Sequence, residues 1–138
     1  MNNNSGNRAL GMSHSFGSNY SSWFSDDNVL TLNAWHLVAV TYDSTNSSTE
    51  PLFYVDGAPV GSSHYGPTSD PTNSPEDDAS RDLLIGNAAG GTSRTFDGSV
   101  DEVRVSGIIR SPQWLATSHA NQVNPGAFVS AGPEQDTR

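Results

Sequence analysis

The chain has 138 residues, no cysteine, and six basic against fifteen acidic side chains, which leaves a net charge of −9. All six basic residues are arginine. Such an acidic surface repels phosphate backbones and anionic lipid, so nucleic-acid partners are excluded, and the missing thiols exclude disulfide scaffolds, thiol catalysis and thiolate zinc sites. Divalent cations stay open as companions. The length suits one domain, no apolar run approaches the roughly 20 residues of a membrane span, and Met1-Asn2-Asn3-Asn4 does not begin like a signal peptide.

Residues 1–7 are polar and expected to fray. Two short strands are predicted over Arg8 to Met12 and Tyr20 to Phe24, joined by a turn at Gly17-Ser18-Asn19. Asp26-Asp27-Asn28 makes a polar turn before another short strand at Val29 to Leu32. A long strand follows over Trp35-His36-Leu37-Val38-Ala39-Val40-Thr41-Tyr42-Asp43, and a second over Leu52-Phe53-Tyr54-Val55, closing on an Asp56-Gly57 hairpin turn. Both are apolar on both parities, which places them in the middle of a β-sandwich. The hairpin returns through Ala58 to Ser62. From His64 to Ser80 the chain is filled with Pro, Ser, Thr, Asn and Asp, the composition of a functional or mobile loop.

Asp82-Leu83-Leu84-Ile85-Gly86-Asn87 resumes strand, Ala88 to Thr92 is a Gly-rich turn, and Phe96 to Ser106 reads as the last strand. Ser111-Pro112 is a helix start, Ser as N-cap and Pro at the first helical position, with the helix running to about Asn121 and Trp114, Leu115 and His119 turned to the sheet. The class is all-β, an antiparallel β-sandwich with one short C-terminal helix.

Trp35 to Asp43, Phe53-Tyr54-Val55-Asp56-Gly57, Leu84-Ile85-Gly86-Asn87, Phe96-Asp97-Gly98-Ser99-Val100-Asp101-Glu102-Val103-Arg104-Val105 and Arg110-Ser111, in this order, resemble the laminin-G-like jelly roll of the concanavalin A-like lectin/glucanase superfamily. The resemblance covers residues 8–132 and leaves 133–138 as a tail. It implies a partial jelly-roll β-sandwich, because in that family the Trp-His-x-Val-Ala-Val strand falls near mid-domain and here about 34 residues precede it. Strands left with open edges and apolar faces invite self-association, so the chain is expected to complete itself as a homo-oligomer, a dimer being the simplest. A compact half-sandwich covered by its own loops and helix is the alternative.

The resemblance further implies a non-catalytic extracellular or cell-surface module of a bacterial protein, binding glycan or a surface protein. A structural self-assembly unit is the rival reading, and a remnant of a glycoside hydrolase a third. The glucanases of the superfamily use a Glu-x-Asp-x-Glu strand that sets alternating carboxylates on one face. Here Asp101 and Glu102 are neighbours on opposite faces. Four scattered histidines show no metal-ligand spacing, no Gly-x-Ser-x-Gly elbow or phosphate loop occurs, and no enzyme is expected.

Sugars stack on exposed rings, which makes Tyr20, Trp23, Tyr65 and His64 the candidate ligand-binding residues. Trp35 and Trp114 read as structural, and His36 as packed within the core strand. Asp101 shares parity with Val103 and Val105, so if those valines face the core its carboxylate does too and needs compensation. Calcium, which the family often holds, is one answer; backbone N–H groups at a strand end are the other. Glu102 and Arg104 form an exposed pair, and Asp43 and Asp56 are turn formers. The acidic residues Asp70, Glu76, Asp77 and Asp78 lack the spacing of a dedicated calcium loop and read as solvated.

Overall fold

A computed structural model describes residues 8–16, 19–45, 49–65, 76–77, 79–80, 82–86, 96–127 and 132, with the side chains of Asn19, His64 and Tyr65 outside that description. Two three-stranded antiparallel sheets face each other, a partial all-β jelly-roll sandwich with one short helix near its C-terminal end. The first sheet is ordered β1 (Gly11–Phe16), β2 (Asn19–Ser25), β6 (Ser62–Tyr65), and the second β3 (Val38–Thr41), β4 (Leu52–Val55), β5 (Ala58–Val60).

Alternation sets the core. In β1 the even positions Met12, His14 and Phe16 turn inward while Gly11, Ser13 and Ser15 stay exposed. Met12 pairs with Trp23 across β1 and β2, and Val40 pairs with Phe53 across β3 and β4. Phe16, Trp23 and Phe53 therefore meet between the sheets, with Leu10, Met12, Tyr42 and Val60 packed around them. Burial of such rings contributes roughly 1.5–3 kcal/mol each. On the outer face of the first sheet, the hydroxyls of Ser13 and Ser22 bond each other at 2.7 Å.

Gly61 carries the chain from one sheet to the other. β5 ends at Val60 and β6 begins at Ser62, so the return strand expected over Ala58 to Ser62 is split between the sheets. The N–H of Asp26 donates to the carbonyl of Gly61 at 2.8 Å and fastens the crossing to the end of β2.

Several predicted strands are shorter or absent. Val29 to Leu32 is a loop because Asn28 and Asn33 take left-handed conformations, φ 61° and 59°, that no strand accommodates. That loop is still anchored: Leu30 is buried, and Arg8 Nε donates to its carbonyl at 2.7 Å. The long strand from Trp35 begins only at Val38. β4 is central, with Phe53, Tyr54 and Val55 buried, but β3 is an edge strand with Val38 and Val40 exposed. The expectation that both lay mid-sheet holds for β4 alone.

Residues 82–86 and 96–110 are irregular rather than stranded. Their one backbone bond to another segment, among the described residues, runs from the N–H of Phe96 to the carbonyl of Gly86 at 2.7 Å. Glu102 sits at φ 50°, its N–H taken by Oδ1 of Asp101 at 2.8 Å. The alternating pattern is present in the sequence, but among the described residues no strand lies beside it to form a ladder.

Helix α1 (Pro112–Val123) starts as expected, Ser111 Oγ accepting from the N–H of Trp114 at 3.2 Å with Pro112 in the first turn. Leu115 is its buried residue. A 3-10 turn (Pro125–Ala127) follows. Among the described residues no helix is long and apolar enough to cross a membrane. The predicted features at residues 1–7, Gly17-Ser18, 66–75, Asp78, Asn87 to Thr92 and 128–131 lie outside the described residues, as does the tail 133–138.

Candidate functional site

Asp56 is the point where three elements meet. The two-residue loop between Val55 and Ala58 places Asp56 at φ 53° and Gly57 at φ 78°, the two positive angles of a type I′ hairpin turn. This conformation aims the Asp56 carboxylate back across the sheet edge. Its Oδ1 accepts from the N–H of Leu37 at 3.1 Å, its Oδ2 contacts His36 Nδ1 at 2.8 Å, and His119 of α1 brings Nε2 to 3.6 Å of Oδ1. The N–H of Asp56 donates to the carbonyl of Leu37 at 2.8 Å. The backbone at Leu37 is thus held by a turn rather than by a strand, which is why β3 starts one residue later.

His36 links this turn to the preceding loop. The N–H of Thr31 donates to His36 Nε2 at 3.1 Å, so Nε2 is an acceptor and the ring proton lies on Nδ1, donating to Asp56. Thr31 Oγ1 also lies 2.7 Å from Nε2. Hydroxyl, imidazole and carboxylate stand in the order of a nucleophile relay. The Nε2 lone pair is already engaged by a backbone N–H, however, and the arrangement fastens the loop. His36 is a half-buried hydrogen-bonding link before β3, not a packed core-strand histidine.

The clasp carries an exposed aromatic ring. Trp35, read from the sequence as structural, is 71% exposed, and Leu32 beside it in the same loop is similarly open. Between them lie the left-handed Asn33 and the exposed Ala34, while Leu30 and His36 pin both ends of the loop. A large apolar ring thus stands on a fastened loop, with polar groups of Thr31, Asn33 and Asp56 nearby in the chain or in the clasp. Sequence reasoning missed it because Trp35 opens an apolar run. The available signal was Asn33-Ala34 immediately before it, a turn that takes the ring outside the ladder.

The residues predicted to bind ligand are dispersed. Trp23 is 2% exposed, its ring 5.4 Å from that of Tyr42 and packed with Phe16 and Phe53, so its faces are spent on the core. Tyr20 is 57% exposed on the outer face of the first sheet, opposite Ser15. His64 and Tyr65 lie on β6 opposite Trp23 and Ser22, their side chains outside the described residues. These residues do not converge with Trp35 on one loop.

Asp101 is exposed, as are Val103 and Val105. The premise of a buried carboxylate needing a cation therefore fails, and Oδ1 of Asp101 is satisfied by the N–H of Glu102. Among the described residues no three His, Cys, Asp or Glu side chains cluster as a metal centre would require. Glu102 does pair with Arg104, at 2.7 Å, and also accepts from Gln122 Nε2 of the helix at 2.5 Å. Trp114 is exposed, with the Arg110 guanidinium 4.9 Å from its ring centroid.

Two groups at the mouth of the core are electrostatically perturbed. Burial, and secondarily the Asp43 carboxylate, pushes the Tyr42 phenol up from its usual value. Asp43 is held below the usual carboxylate range by the hydroxyl and then the N–H of Thr45, which donate to its Oδ1 at 2.6 and 3.0 Å. This is an Asx turn, the role expected of Asp43. The Tyr42 ring packs edge-on to His14, centroids 5.6 Å apart, and neither Tyr42 OH nor His14 Nδ1 has a partner among the described residues.

A laminin-G family model described as the concanavalin A-like lectin/glucanases superfamily matches residues 2–116. No curated protein and no solved structure gives a significant match.

Proposed function

This chain belongs to the concanavalin A-like lectin/glucanase superfamily, and from that premise we propose that it is a non-catalytic extracellular binding module that recognises glycan or another cell-surface component. Membership supports a binding or lectin-like module in general terms; a fold alone does not choose the ligand. The observation that carries the reading is Trp35, an exposed ring on a loop fastened at Leu30 and His36. Stacking of a sugar's C–H face on such a ring needs little ordering on binding, because the loop is already held.

Tyr20, on the outer sheet face, is the second candidate ring, with His64 and Tyr65 beyond it on β6. Calcium remains a proposed companion through Asp101, acting on an exposed segment rather than in the core. An array of immobilised glycans probed with the purified chain tests the reading. Binding that Trp35→Ala abolishes and Tyr20→Ala spares supports it; no bound glycan, or binding indifferent to Trp35→Ala, overturns the Trp35 site. Repeating the array with a chelator tests calcium, and unchanged signals remove Asp101 from the proposal.

The self-assembly reading is favoured by a separate observation, the apolar edge of β3, which is open among the described residues.

A further inference from the structure

We infer that segment 99–105 of one copy adds as a strand to the open edge of β3 in a second copy, and that the exchange is reciprocal. The chain carries both halves of this contact. β3 ends the order β3-β4-β5, so among the described residues one side of its backbone has no strand beside it, and Val38 and Val40 are exposed along it. Segment 99–105 makes no backbone-to-backbone hydrogen bond among the described residues, yet Val100, Val103 and Val105 are exposed, Val105 by 85%. An apolar edge and a valine-bearing irregular segment, each without a strand partner among the described residues, are an aggregation hazard apart and complementary together.

Parity supports the fit. Val40 pairs with the core residue Phe53, so Val38 and Val40 lie on the core face of their sheet. Laying Val103 and Val105 beside Val38 and Val40 extends the core beyond β3 and turns Val100, Glu102 and Arg104 to the opposite face, where an ion pair tolerates solvent; Asp101 shares the parity of the two valines but falls beyond the four residues of β3. Glu102 would leave its left-handed conformation on joining the ladder, and a non-glycine residue is relieved by that change. Each copy gives one segment and receives one, so a two-fold dimer closes the assembly and leaves no β3 edge to propagate it. The second copy is favoured over an unrelated partner because the donor and acceptor are both in this sequence. The inference is independent of the glycan reading, since it uses neither Trp35 nor Tyr20.

Amide hydrogen exchange on the full chain over a dilution series, with light scattering on the same samples, tests it. The expected result is twice the 14.6 kDa monomer mass at high concentration, with residues 38–41 and 99–105 protected together and losing protection together on dilution. A monomer at every concentration overturns the inference. So does protection of 99–105 that is independent of concentration, which would mean docking within one chain, and so does a dimer in which 99–105 exchanges as freely as an unfolded peptide. A second arm mixes Val40→Lys, which spoils the edge, with Val103→Lys, which spoils the segment. Each alone should be monomeric, whereas the mixture should form a heterodimer through the one intact edge and one intact segment. A mixture that stays monomeric while the unaltered chain dimerises overturns it; if either variant fails to fold, the exchange series on the unaltered chain decides.

Discussion

His36 donates from Nδ1 to Oδ2 of Asp56 at 2.8 Å, and this bond ties the chain entering β3 to the turn between β4 and β5. Because the same carboxylate also accepts from the N–H of Leu37, removing it strands two donors. Asp56→Ala is expected to cost about 2–3 kcal/mol, from lost acceptors and from an alanine at φ 53°. Asp56→Asn, which tolerates that conformation and keeps one acceptor, should cost about 1 kcal/mol. Urea unfolding of both variants and of His36→Ala, combined as a double-mutant cycle, gives the coupling. Additive losses would mean the bond contributes nothing to the fold.

Gly57 is where the hairpin turn touches the helix. A Cβ there would stand 2.7 Å from the Cα of Ala116, and φ is 78°, so neither the helix backbone nor the turn conformation admits a side chain. Gly57→Ala should destabilise by more than the roughly 1–2 kcal/mol of the left-handed penalty alone, because α1 must also move away. Amide exchange would show faster exchange throughout residues 112–123 with β2 and β4 still protected. An unchanged helix would mean that the turn and helix are not in contact.

The parts legible in the sequence were those fixed by local chemistry. Asp56-Gly57 announces a type I′ turn, and Ser111-Pro112 a helix start, because each needs only neighbouring residues. β2 and β4 were legible because both are central, burying Trp23 in one and Phe53, Tyr54 and Val55 in the other. Val29 to Leu32 and Phe96 to Ser106 were misread for a different reason: their composition suits strands, but strand formation needs a neighbour, and composition does not say whether one is present. Trp35 and Trp23 were assigned in reverse, since an aromatic residue on a sandwich faces core or solvent according to register, and the loop through Asn33 shifts where the ladder begins.

That reversal has a measurable form. Trp23→Ala, removing a ring from the core, should cost about 3–5 kcal/mol, whereas Trp35→Ala should stay within about 0.5 kcal/mol. Thermal melts followed by circular dichroism separate the two. Fluorescence gives a second check, because removing Trp35 should shift the remaining emission to shorter wavelength as the solvent-exposed indole is lost. Equal destabilisation by the two substitutions would refute the placement of the rings.

Tyr42 supplies the last prediction, which concerns alkaline pH. Its hydroxyl is buried at the edge of the core without a partner among the described residues, so it adds a desolvation cost and no bond. Tyr42→Phe should therefore be neutral or stabilising by up to about 1 kcal/mol, with the ring contacts to His14 and Trp23 retained. The raised phenol also fixes the sign of a pH effect. A folded-state value above the unfolded one makes the folded chain hold its proton longer, so this contribution is complete below the ordinary tyrosine value, about 10, and is lost as pH rises through the higher folded value. Asp43 acts oppositely: its lowered value gives a contribution present above the ordinary carboxylate range and lost on acidification. Absorbance at the tyrosinate band during alkaline titration, compared between the unaltered chain and Tyr42→Phe, should assign to Tyr42 an ionisation above the ordinary tyrosine value, about 10, and Tyr42→Phe should reduce the steepness of alkaline unfolding. If Tyr42 ionises at the ordinary tyrosine value and the substitution lowers the melting temperature, the hydroxyl has a partner and the core edge is arranged differently.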